Sequence, residues 1–147
     1  MSRMLRDVVA LLNRLIQLDY DAIEACKAAL ARVTDPRDRE QLGAALGDHR
    51  RHIDELAILV RNLGGEPASQ GDLRQASAKG KVVLGGLAGE GAVLEAMQEN
   101  EEEARRAYEH AASQPGVPVD VLAVLERNLA HETEHVARLA DRGAARR

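Results

Sequence analysis

Apolar residues recur at intervals of three and four along four stretches of the chain, the period of a helix with one buried face. The first stretch runs from about Met4 to Val33, the second from Pro36 to Leu63, the third from Glu90 to Ser113 and the fourth from Pro118 to Arg142. Their ends carry residues that start and stop helices. Asp35 is placed to accept from the free N–H groups that open the second helix, and Pro36, with no N–H to leave unpaired, suits its first position. Gly64 and Gly65 stop that helix, and "QPG" at residues 114–116 stops the third. No stretch alternates with period two for long enough to make a strand.

The connections around residues 34–35 and 114–117 are short, and short loops join antiparallel neighbours. The middle connection, residues 64–89, is long and rich in Gly and Ser. A helix of about 25 residues is roughly 38 Å long. A connection of this length spans it if the second and third helices run parallel. Part of it, "DLRQASAKGKVVLGGL", can itself form a short helix with Asp72 as its cap. The pattern predicts an all-α fold, an up-down four-helix bundle in a single domain over residues 1–147. Its helices are expected at 4–33, 36–63, 90–113 and 118–142, with one long crossover at 64–89 between the second and third.

Composition narrows the partners more than it alters this picture. Lys and Arg are scattered among Asp and Glu at a formal net charge of -4, which offers no nucleic-acid surface. The longest uncharged run, "VVLGGLAG", is too short to span a bilayer, so a cytoplasmic protein without membrane contact is expected. The basic end, "RGAARR", reads as a frayed terminus. A single cysteine, Cys26, excludes an intramolecular disulfide. With two Tyr and neither Phe nor Trp, the core must be built from Leu, Val, Ile and Ala.

One position breaks the apolar stripe of the first helix. In "LIQLDYDAIEAC", residues 15–26, Asp19 sits in the middle of the face that Leu15, Ala22, Ile23 and Cys26 bury. The anomaly repeats. "DYDAIEAC" (19–26) aligns with "EEEARRAY" (101–108), and "DHRRHIDEL" (48–56) with "HETEHVARL" (131–139), at offsets of 82 and 83. Each half therefore puts one acid on its first helix and a pair three residues apart on its second. His49 and His52 fall among Leu42, Ala45, Leu56 and Leu63, and Glu132 and His135 among Val121, Leu125, Asn128 and Leu139. An uncompensated carboxylate in such an interior is costly or changes its protonation state. A shared cation removes the difficulty, and carboxylate and imidazole are both good ligands for iron, manganese or zinc. A metal-free network of polar core residues is the competing reading.

The spacing resembles that of the ferritin-like di-iron carboxylate proteins, the group that includes bacterioferritin and rubrerythrin. Their pattern is one Glu from each of two helices and Glu-x-x-His from each of the other two, on two hairpins joined by a long crossing. The resemblance covers nearly the whole chain. It implies that Asp19 and Glu101 are carboxylate ligands, that Glu132 bridges, and that His52 and His135 are terminal nitrogen ligands. His49 departs from the pattern, standing where a bridging Glu belongs, as a third nitrogen ligand or the partner of an open position. Asp48 matches an Asp that orients the opposite histidine ligand, here His135. His131 holds the equivalent place in the other half. Tyr108 is a hydrogen-bond donor beside the site, a radical site or simply a core tyrosine.

With His49 in place of Glu, three carboxylates would face two divalent ions, one negative charge short of neutrality. One or two iron ions are therefore expected, with zinc or manganese as alternatives. The resemblance further implies redox handling of iron with oxygen or peroxide, and association into a dimer. The alternatives are a non-redox metal-binding module and a structural or stress-associated bundle. Any electron donor would be a separate partner, because the chain has no rubredoxin-like cysteine pairs. Cys26 reads as a small buried residue and His110 as solvent-facing. Gly85, Gly86, Gly89 and Gly91 lack the Lys-Ser/Thr that a phosphate loop requires.

Overall fold

The computed structural model describes residues 1–70 and 77–146, and the described residues form five helices and no strand. They are α1 (Arg3–Leu30), α2 (Pro36–Asn62), α3 (Ser77–Gly86), α4 (Glu90–Ala112) and α5 (Val119–Arg146). Helix α3 is the short helix expected in the long connection; the cap expected at Asp72 lies outside the described residues. No helix among them is long and apolar enough to cross a membrane.

Local chemistry fixes the ends. Ser2 Oγ accepts from Leu5 N at the start of α1, and Asp35 Oδ1 accepts from Arg37 N at 2.8 Å at the start of α2, directly before Pro36. Such caps satisfy N–H groups that have no partner within the helix. Gly64, at φ +87°, adopts after α2 a backbone conformation that a side chain disfavours. Two boundaries differ from the sequence expectation. Helix α1 stops at Leu30 instead of Val33, because the chain turns there and Arg39 donates to the carbonyls of Leu30 and Val33. Helix α5 passes residue 142 and runs to Arg146. Its last turn is tied down, with Arg142 Nε donating to Asp38 Oδ1 at 2.9 Å and Arg146 paired with the same carboxylate.

Long-range contacts set the helix directions. The start of α1 meets the end of α2, where Asn13 Nδ2 donates to the carbonyl of Glu66. The turn after α1 meets the start of α4, where Thr34 donates from N and Oγ1 to Glu90 Oε1 at 3.0 and 2.7 Å. The start of α2 meets the end of α5 through Asp38 and Arg142. Helix α1 packs on α2 and α4, α5 packs on the same two, and α3 rests on α1 and α4.

The interior has three layers. Leu12, Leu15, Ile16, Leu56, Val60, Tyr108, Val121 and Leu125 fill one end. Ala29, Leu42, Ala45, Val82 of α3, Val93, Met97 and Leu139 fill the other. Each long helix carries polar residues inward where these clusters approach one another: Asp19 on α1, His49 and His52 on α2, Glu101 on α4, Glu132 and His135 on α5. All six are buried, none more than 2 % exposed. Burying a Leu or Ile side chain contributes roughly 1.5–3 kcal/mol, so the two apolar layers can hold a polar layer that would not form alone.

Candidate metal centre

Each ligand candidate reaches the polar layer because helical periodicity turns it inward with its apolar neighbours. All six come together. Their donor atoms form two groups, Asp19–His49–His52–Glu132 and His49–Glu101–Glu132–His135, and within each group the atoms lie within 4.8 Å of one another. His49 and Glu132 belong to both.

In the first group, Asp19 Oδ1 is 2.7 Å from His49 Nδ1 and 3.4 Å from His52 Nδ1. Glu132 Oε1 is 3.5 Å from His49 Nδ1 and 3.6 Å from His52 Nδ1. In the second group, His49 Nε2 is 3.0 Å from Glu101 Oε1, and His135 Nδ1 is 3.4 Å from Glu101 Oε2 and 3.5 Å from Glu132 Oε2. The centre of a regular tetrahedron with edges of about 3.3 Å lies about 2.0 Å from each corner, the length of zinc–nitrogen and zinc–oxygen bonds. The donor distances above, 2.7–3.6 Å, bracket that edge.

A second observation supports the fit. Glu132 is fully buried, and neither of its carboxylate oxygens has a hydrogen-bond partner; His52 Nδ1 has none either. Buried polar atoms are nearly always paired. These three atoms belong to residues of the two donor groups; other buried atoms without such a partner among the described residues include Gln41 Nε2, Asn100 Nδ2 and both polar atoms of the Asn128 side chain.

Without a metal, protons would hold the layer together. Burial would lower the pKa of His49, but the Glu101 and Glu132 carboxylates and the bond to Asp19 outweigh it and hold His49 well above its ordinary value. Burial would lower His135, but the Glu101 and Glu132 carboxylates beside it outweigh that and raise it to about 9. Burial pushes Glu132 up to about 8, against the pull of His49 and with the push of Glu101. Burial acts to raise Asp19 and Glu101 too, but the histidines around them keep both below the ordinary carboxylate range. Two carboxylates, two imidazolium ions and one neutral acid then balance. A cation entering the site competes with these protons.

The surrounding residues orient the donors. His135 Nε2–H donates to Asp48 Oδ2 at 2.6 Å, which leaves Nδ1 facing the centre, and Asp48 also pairs with Arg51. His52 Nε2 shares a hydrogen bond with His131 Nδ1 at 3.1 Å, leaving His52 Nδ1 inward. The two halves thus use the same position differently, with an anion behind His135 and a half-buried imidazole behind His52. Tyr108, buried, donates its hydroxyl to Asp19 Oδ2 at 2.6 Å, so it is bound to the site and not only packed in the core.

Asn128, fully buried beside the Tyr108 hydroxyl, was legible in the sequence only as a polar residue in an apolar stripe. Two further expectations hold. Cys26 is buried, which pushes its thiol up to about 12, and belongs to neither group; His110 is exposed and outside both groups.

No curated protein and no solved structure matches the chain. A protein-family match covers residues 7–114, which span Asp19, His49, His52, Glu101 and Tyr108 but stop before Glu132 and His135. By that match, the chain belongs to the family described as Domain of unknown function (DUF2383).

Proposed function

We propose that the chain is a single ferritin-like domain, an up-down four-helix bundle with α3 in its crossing, that holds metal ions through Asp19, His49, His52, Glu101, Glu132 and His135. The carrying observation is Glu132: a fully buried carboxylate with neither oxygen hydrogen-bonded, common to two groups of donors and 3.5–3.6 Å from three histidine nitrogens. We take iron, as one or two ions, to be the working metal, and its redox handling with oxygen or peroxide to be the function, following the resemblance in ligand pattern. Bound iron would supply electron transfer and oxygen activation. The protein's part is to set the donors in place: Asp48 aims His135, His131 aims His52, and Tyr108 fixes the rotamer of Asp19 through the hydrogen bonds above. The apolar layers on either side exclude water. A separate electron donor, a homodimer and a cytoplasmic location belong to the same reading.

One observation favours a second reading, a non-redox zinc module. Each group supplies four protein donors, and metal sites closed by four protein ligands are usually structural, whereas catalytic sites keep a position open.

Metal analysis of protein purified without chelator, followed by addition of Fe(II) under air or with peroxide, tests both. Iron in the purified protein and a visible absorption band that develops with oxidant support the redox reading. Zinc alone, with no response to Fe(II), supports the second. A chain that takes up neither metal, and whose Glu132→Ala variant melts at the wild-type temperature, overturns both.

A further inference from the structure

The two donor groups do not merely adjoin; they share a ring. His49 is fully buried and turns its two nitrogens to different carboxylates: Nδ1 lies 2.7 Å from Asp19 Oδ1 and 3.5 Å from Glu132 Oε1, and Nε2 lies 3.0 Å from Glu101 Oε1. Glu132 is shared in the same manner, with Oε1 turned to His52 and Oε2 to His135. The geometry points to a bridging role: His49 joins two metal ions through its imidazole, one ion on each ring nitrogen, alongside the Glu132 carboxylate. The proposal rests on the metal-binding reading above and assigns one residue's role within it.

Geometry sets His49 apart from an ordinary terminal ligand. A histidine that is an ordinary terminal ligand presents one nitrogen to the metal and donates from the other to a carboxylate, carbonyl or water outside the site. His52 and His135 do this, through His131 and Asp48. His49 has no such outer partner, since the acceptors beside its two nitrogens, Asp19 and Glu101, are themselves donor residues of the two groups.

Charge agrees. Two divalent ions bring four positive charges, and Asp19, Glu101 and Glu132 offset three of them. A ring coordinated at both nitrogens has released its N–H protons to solvent and carries one negative charge, the fourth. In this way an imidazole replaces the bridging carboxylate without leaving net charge in a dry interior.

Zinc, diamagnetic and suited to tetrahedral N/O sites, is the probe. Metal-stripped chain labelled with 15N at histidine is loaded with zinc, the ions are counted by native mass spectrometry, and the rings are read by long-range 1H–15N NMR. The expected result is two zinc ions per chain and, among the five histidines, one ring with both nitrogens metal-bound and no N–H. The His49→Glu variant should still bind two ions and lose that ring's signals. Two zinc ions with an N–H on every histidine overturn the bridge, as does a doubly coordinated ring that persists in His49→Glu, or a single zinc in the wild type. No zinc uptake at all overturns the metal reading itself, so the two failures are distinct. Should His49→Glu not fold, the wild-type count and spectrum decide alone.

Discussion

Tyr108 and Asp48 show how single contacts hold the donors. The Tyr108 hydroxyl donates to a carboxylate kept ionised in the core, and hydrogen bonds to charged groups contribute about 1.5–3 kcal/mol. Tyr108→Phe leaves Asp19 Oδ2 buried and unpaired, so urea denaturation of the metal-free chain should register a loss of about that size. Asp48 acts from outside the ligand set, through His135. Removing such a partner typically weakens metal affinity 10–100-fold. Asp48→Asn should show that loss in competition with a chromophoric chelator, at unchanged helical content.

The six inward residues were legible because they interrupt leucine stripes at matched places in two halves. The atoms were not. Spacing fixes where a Cβ points, but whether His49 offers one nitrogen or two depends on groups from three other helices. The same holds for the Tyr108 hydroxyl, whose acceptor lies 89 residues away.

Among the elements, the four long helices followed from their stripes and caps, and α3 from the short apolar run in the crossing. The end of α5 did not. "RGAARR" looks like a loose basic tail, but Arg142 and Arg146 reach Asp38 on α2, more than 100 residues earlier. Sequence distance hides that pairing, and the pairing adds the last turn to the helix. It also gives a pH dependence. Burial would raise the Asp38 pKa, but Arg146 and Arg142 hold it below its ordinary 3.8. A group depressed on folding stabilises the fold above its unfolded pKa and loses that contribution as pH falls through the folded value. Asp38→Asn should therefore cost about 2 kcal/mol at pH 7. The gap between variant and wild type should begin to close as pH falls below 3.8, where the unfolded chain takes up the proton, and vanish only below the lower folded value. Denaturant midpoints at the two pH values measure the difference.

For the whole molecule, the polar layer ties all four long helices to one point, so a ligand bound there should stabilise the entire fold. A ligand that binds only the folded state adds roughly 2.7 kcal/mol at a hundredfold excess over its Kd. For a chain of this size that is roughly 5–10 °C in Tm. Zinc should raise the melting temperature by that amount in calorimetry, and EDTA should return it to the metal-free value. The match to the family ends at residue 114, yet Glu132 and His135 lie on α5, so the site as described needs a helix beyond the matched segment.

The scarcity of aromatic residues gives the chain an optical property. With no Trp, its near-ultraviolet emission comes from two tyrosines. Tyr108 is locked against the Asp19 carboxylate, its ring 5.5 Å from that of His52. A carboxylate accepting the phenol proton and a nearby imidazole both quench tyrosine fluorescence. The folded chain should be dim, with Tyr20 as its main emitter, and should brighten on unfolding. An ion that draws charge from Asp19 would change the Tyr108 signal directly, so occupancy of the centre could be followed by light alone, without a label.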